Sequence, residues 1–145
     1  MQGPGRQIMV KRFSLPKSKR LVSNRQFETV IARKLRVSNG LLTLYINENE
    51  CGYPRLGLSV SKSCGDAVVR NRLKRLLREV FRQSQDQIPS GFDYLLMISP
   101  HWAKKLDKSA DNRKAVRLLT FEKVRTSFLA LVDRAKRLDD KTVKQ

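Results

Sequence analysis

The chain has 145 residues, a length that fits one domain with short tails, and 40% of them are hydrophobic, enough for one core. Lysine and arginine number 31 against 13 aspartates and glutamates, and the resulting net charge of +18 predicts a polyanionic partner, nucleic acid or an anionic surface. No apolar run nears the roughly 20 residues of a membrane helix, no apolar stretch marks a secretory signal, and two cysteines without CxxC spacing plus one histidine build neither a metal site nor a histidine triad. These features point to reduced thiols and a cytoplasmic protein that does not enter membranes.

Residues 1–22 include Arg6, Lys11, Arg12, Lys17, Lys19 and Arg20 and no acid. With Gly3, Pro4, Gly5 and Pro16 they read as an irregular basic arm, mobile until a polyanion orders it. Ser23-Asn-Arg-Gln26 has the form of a capping box. It opens a short helix with Phe27, Val30, Ile31 and Leu35 on one side, ended by Asn39-Gly40. Residues 41–47 alternate as a strand: Leu42, Leu44 and Ile46 point one way, Leu41, Thr43 and Tyr45 the other. The polar loop from Asn47 to Gly52 reads as a hairpin connection to a second strand, 55–61. That strand has Leu56, Leu58 and Val60 on one face and only Gly57, Ser59 and Ser61 on the other. Such a small-residue face either packs under a helix or lets a ligand backbone approach closely.

The next stretch organises the chain. From Ala67 to Arg82, Val69, Leu73, Leu76, Leu77 and Val80 fall in one arc of a helix, and Asn71, Lys74, Arg75, Arg78 and Arg82 in the opposite arc. Glu79 is the helix's one acid. A solvated helix ordinarily mixes signs and gains i,i+4 pairs. Like charges one turn apart repel, so this face costs stability unless a polyanion neutralises it. Asp66 is suited to cap the helix.

Pro89-Ser-Gly91 is a turn, and residues 92–99 form a third strand, apolar on both faces and therefore central or well covered. Residues 101–119 are basic and read as a partly helical connection with a break near 109–112. Thr120 caps a last amphipathic helix carrying Phe121, Val124, Phe128, Leu131, Val132, Ala135 and Leu138. The order is α-β-β-α-β-α in one α+β domain, 23–138, between the arm 1–22 and a polar tail 139–145. The second and third strands, joined across the central helix, form a βαβ unit if parallel.

Enzymatic chemistry is poorly supplied. No pair of carboxylates stands out as acid and base, no GxxxxGK[ST] loop is present, and no carboxylate cluster suggests bound Mg²⁺. Nucleic-acid binding is better supplied: phosphate contacts from the central helix, the arm and the basic connection, and stacking surfaces from Phe27 and Tyr45. Spacing alone favours plain core for Phe27 and allows exposure and burial equally for Tyr45.

Arg55-Leu-Gly-Leu-Ser-Val-Ser-Lys62 followed by Gly65-Asp-Ala-Val-Val-Arg-Asn-Arg-Leu-Lys-Arg-Leu-Leu-Arg78 closely resembles the signature of the bacterial ribonuclease P protein subunit. Leu15-Pro-Lys-Ser-Lys-Arg-Leu21 and Arg25-Gln-Phe27 resemble that family's N-terminal segment. The chain departs from the family pattern at Ser63, Asp66 and Ile31, and in a longer 101–119 connection. The resemblance implies a two-layer α/β sandwich with a left-handed βαβ crossover. It implies a protein, monomeric within a ribonucleoprotein, that binds a catalytic RNA. That RNA, with Mg²⁺, removes the 5′ leader of precursor tRNA, so the protein is an accessory subunit of an endoribonuclease and not catalytic alone. The residues carried over are Lys62, Arg70, Asn71, Arg72, Lys74, Arg75 and Arg78 for the RNA, and Lys17, Arg20 and Arg25 for the basic N-terminal segment. Phe27, Tyr45, Ser59 and Ser61 are expected to line the leader cleft between the first helix and the sheet. The rivals are a general RNA chaperone or ribosome-associated binder, and a self-sufficient nuclease.

Overall fold

The computed structural model describes residues 17–144 apart from 22, 34, 107 and 110. Its elements run α1 (Asn24–Ala32), β1 (Arg36–Ser38), β2 (Leu42–Glu48), β3 (Arg55–Ser59), α2 (Ala67–Ser84), β4 (Phe92–Ile98), α3 (Trp102–Leu106), α4 (Asn112–Leu118) and α5 (Phe121–Lys144). Short 3-10 turns occupy Lys17–Lys19, Lys62–Cys64 and Gln85–Gln87.

The capping box forms as its spacing predicts. The Ser23 hydroxyl accepts from the Gln26 N–H at 3.1 Å, and the Gln26 side chain accepts from the Ser23 N–H at 3.2 Å. The helix stops at Ala32, earlier than expected, and Arg36–Ser38 becomes a strand against β2, with Arg36 opposite Tyr45 and Ser38 opposite Thr43. Three residues are too few to show alternation, so only the pairing reveals β1.

The sheet order is β1-β2-β4-β3. β2 and β3 are therefore not a hairpin, contrary to the expectation from their proximity in sequence. β4 lies between them, antiparallel to β2 and parallel to β3. Its residues are buried on both faces, and only a central position satisfies that demand. The β3-α2-β4 unit is parallel, as the βαβ reading requires.

One sheet face carries the main core. Leu42, Leu44, Ile46, Leu56, Tyr94, Leu96 and Ile98 meet Leu73, Leu77, Val80 and Phe81 of α2 and Val124, Phe128 and Leu131 of α5. Tyr94 stands edge-on to both Phe81 and Phe128, with ring centroids 6.0 and 6.3 Å away. Trp102 of α3 closes one end of this core and donates its indole N–H to the Cys64 carbonyl at 2.9 Å. The opposite face is smaller. Leu21, Val30 and Leu95 are buried there, with Phe27, Tyr45 and Met97 partly buried around them.

Both boundaries of the folded domain lie further out than the sequence reading puts them. Arg20 bridges to Leu56, and the Leu21 N–H donates to the Leu56 carbonyl at 2.8 Å. Residues 17–21 thus cover the edge of β3, which would otherwise present unpaired backbone groups. The rest of the basic arm lies outside the described residues. At the other end, α5 continues to Lys144, and Asp139, assigned by pattern to a polar tail, is 2% exposed and ion-paired with Arg33 at the end of α1. Arg134 also donates to the Ser38 carbonyl of β1 at 3.0 Å. A polar residue late in a helix looks like tail until its partner, here 106 residues away, is known.

Candidate nucleic-acid interface

Helix α2 buries Val69, Leu73, Leu77, Val80 and Phe81, and its opposite side is cationic as predicted. Asp66 caps it, accepting from the Val69 N–H at 3.0 Å. This hydrogen bond first, and then the Arg113 guanidinium, hold the Asp66 carboxyl below its usual range. The negative charge that Asp66 brings to this surface is therefore matched, by a side chain from the longer connection. Asn71, Arg72, Arg75 and Arg78 are exposed, and Arg70 and Lys74 half-buried. Arg70 donates Nε to the Gly65 carbonyl at 3.2 Å, which fixes the turn into the helix. Lys62 is exposed on that turn.

Four of the predicted residues line two adjoining depressions that share Arg75. Asn71, Arg75 and Arg78 line a depression of about 420 Å³ together with Glu79 and Arg82. Arg72 and Arg75 line a second, of about 430 Å³, whose floor is Leu76, Val116 and Phe121. Arg82 lies in the cationic arc of the helical wheel, yet only its place at the depression marks it as a site residue. Arg113 and Arg117 on α4 were detectable only as part of a basic stretch, because their approach to α2 is tertiary. Glu79 is clamped by Arg82, and that hydrogen bond above all keeps its carboxyl below the usual range.

The second candidate site lies on the other sheet face. The register sets Tyr45, Leu95 and Gly57 side by side in one row, and Thr43, Met97 and Ser59 in the next. α1 covers part of the first row. A methyl group on Gly57 would stand 2.9 Å from both Leu21 Cδ1 and Phe27 Cε1, so the glycine is what lets these side chains settle onto the sheet. Phe27, Tyr45, Ser59 and Met97 remain half-exposed, and the candidate cleft is the surface they share beside α1. The alternative that the last helix fills this groove does not hold, since α5 packs into the main core on the other face. Ser61 is a correction. β3 ends at Ser59, and Ser61 sits beyond it, exposed, with its hydroxyl 2.6 Å from that of Ser63. It belongs to the turn that carries Lys62. That turn connects the cleft, at Ser59, to the N-terminal end of α2.

Arg20 and Arg25 are exposed on the two segments that border the cleft, and Lys17 begins the 3-10 turn before them. Beyond the cleft, Arg55 donates Nε and Nη2 to the two oxygens of Asp93, each at 2.7 Å, and Asn49 donates to the same carboxylate at 2.8 Å. Asp66, Glu79, Asp93, Asp133 and Asp139 are all engaged by arginines. Among the described residues no group of three His, Cys, Asp or Glu side chains converges as a metal site would require. The described residues also include no helix long and apolar enough to cross a membrane.

The chain matches the family model described as Ribonuclease P over residues 15–136. It is 35% identical over 122 residues to the ribonuclease P protein component of Brevibacillus brevis, covering 83% of this chain and 85% of that protein. It is 42% identical over 82 residues to that of Clostridium botulinum strain Langeland, covering 56% and 74%. Among solved structures, the ribonuclease P protein of Thermotoga maritima aligns with a TM-score of 0.65 at 31% identity, over 79% of this chain and 96% of that one. The Staphylococcus aureus protein aligns with a TM-score of 0.65 at 26% identity, over 83% and 97%. With its cationic α2 and this likeness along most of its length, the chain belongs to the ribonuclease P protein family.

Proposed function

We propose that this chain assists removal of the 5′ leader of precursor tRNA by binding two RNAs on two surfaces. The outer face of α2 holds a catalytic RNA, and the cleft between α1 and the sheet holds the leader. The observation that carries the reading is the two-sided character of α2: one side is locked into the core, and the other presents arginines that the protein leaves largely without acids. Phosphate is the ligand that relieves their mutual repulsion.

In this reading the protein positions, and the RNA performs the chemistry. Mg²⁺ held by that RNA would supply activation of water and charge neutralisation at the phosphodiester. The side chains of this chain bind and orient. Tyr45 and Phe27 offer ring surfaces for unpaired bases, worth about 1–3 kcal/mol per stacked base without regard to sequence. The half-exposed Ser59 hydroxyl stands in the neighbouring row. Sequence tolerance suits a cleft that must accept many leaders. The working assembly is one copy of this chain with one RNA, in the cytoplasm.

The test is binding of precursor and mature tRNA by the assembled ribonucleoprotein. Tyr45→Ala is expected to weaken the precursor about tenfold, the worth of one stacked base, and to leave the mature form unchanged. Equal loss for both, or no loss for either, would remove the leader from this cleft.

A further inference from the structure

The 101–119 connection adds a surface that the α2 and cleft reading leaves unused. α4 lies beside α2, capped by Asp111, which accepts from the Lys114 N–H at 2.8 Å. It is tied to the start of α2 by Arg113, whose Nε donates to Asp66 at 2.9 Å. Between the two helices runs a groove. Its wider part, about 430 Å³, has Leu76, Val116 and Phe121 as floor and Arg72 and Arg75 as rim. Its narrower part, about 140 Å³, continues past Arg72 and Val116 to Val68, Arg113 and Arg117.

Two features set this groove apart from a seam between packed helices. Its floor is apolar and accessible: Leu76, Val116 and Phe121 are only half-buried, and Val68 is 60% exposed. Its rim is cationic: Arg72, Arg75 and Arg117 are exposed, while the two acids nearby, Asp66 and Glu79, are already paired with Arg113 and Arg82. Apolar floor with guanidinium rim is the combination that binds unpaired nucleotides, bases inward and phosphates outward. A duplex keeps its base faces stacked inside the helix and so offers nothing to cover an apolar floor. The groove is also continuous with the proposed RNA face, since Arg75 lines both depressions.

We infer that the α2–α4 groove binds a single-stranded segment of the catalytic RNA, with Arg117 of α4 as a phosphate contact and Val116 and Phe121 as the floor for its bases. The inference rests on the proposed function, in that the partner is RNA. It adds a contact that belongs to this chain's longer connection.

The experiment measures affinity of the full chain for the catalytic RNA across a salt series, for wild type, Arg117→Ala, Arg117→Glu and Arg75→Ala. Melting temperature checks folding; Arg117 is exposed in the last turn of α4, so the fold is expected to hold. A parallel arm crosslinks RNA carrying 4-thiouridine and maps the joined peptide. Arg117→Ala is expected to weaken binding several-fold and to reduce the log–log salt slope by about 0.7, the value for one single-strand phosphate contact. Arg117→Glu should weaken it further, and crosslinks should join unpaired uridines to the 113–121 peptide. Wild-type affinity in both Arg117 variants with weakened Arg75→Ala would overturn the groove and leave the proposed function standing. Wild-type affinity in all three would overturn both. Crosslinks confined to base-paired uridines, or an effect of Arg117→Glu on self-association with none on RNA, would equally overturn the single-strand occupant.

Discussion

Arg75 and Arg78 are exposed, opposite the buried stripe of α2, and no hydrogen bond to another side chain holds them among the described residues, so their work is outward. Replacing either with alanine should leave the melting temperature close to wild type and flatten the salt dependence of RNA binding. Each lost contact is expected to reduce the log–log slope by about 0.7–0.9; an unchanged slope in both variants would remove the helix from the interface. Glu79 is the counter-case, a carboxylate inside the proposed phosphate-binding surface. Glu79→Gln should strengthen RNA binding a few-fold, because it removes a repulsive charge and frees Arg82. The same variant has a pH signature. Arg82 lowers the folded-state pKa of Glu79 below its unfolded value. The stability from that pair is complete above the ordinary carboxylate range and is lost as pH falls through the lowered folded value. Thermal melts from neutral to acid pH should therefore fall less steeply for Glu79→Gln than for wild type. Parallel curves would show that the pair contributes nothing measurable.

At the scale of elements, Gly57 couples the sheet to α1. An alanine there must displace Leu21 or Phe27, since its methyl would lie 2.9 Å from each. Overpacking of this kind costs about 1–3 kcal/mol. Gly57→Ala should lower the melting temperature and, by moving Phe27, reduce the preference for precursor over mature tRNA in the assembled enzyme. A melting shift with an unchanged preference would mean that Phe27 is core alone. This helix-to-sheet contact also shows what the sequence could and could not reveal. α1 and α2 were legible because a capping box and an 18-residue amphipathic helix are local patterns. The central place of β4 was legible in its unbroken apolar run. β1 was not, because three residues carry no period, and the β2–β3 hairpin was misread because neighbours in sequence are the default pairing until a βαβ unit inserts another strand. The cleft was half legible. Alternation gives the small-residue face correctly for Gly57 and Ser59, but the strand ends before Ser61, and Leu21, which fills the space over Gly57, falls by composition within the basic arm.

The molecule as a whole separates its two candidate RNA surfaces by a sheet: α2 outside one face, the cleft on the other, with the turn carrying Lys62 between them. A general RNA chaperone has no need of that arrangement. A subunit that holds an RNA enzyme on one side and its substrate's leader on the other needs both surfaces and the short path between them. The connection 101–119, read from sequence only as basic and partly helical, adds α3 to close the core and α4 to widen the cationic face. The most direct measurement is cleavage of precursor tRNA at low Mg²⁺ by the chain alone, by its catalytic RNA alone, and by the two together. The account predicts no cleavage by the chain, weak cleavage by the RNA, and strong cleavage at the mature 5′ end by the mixture. Cleavage by the chain alone, or a mixture no faster than the RNA, would contradict it.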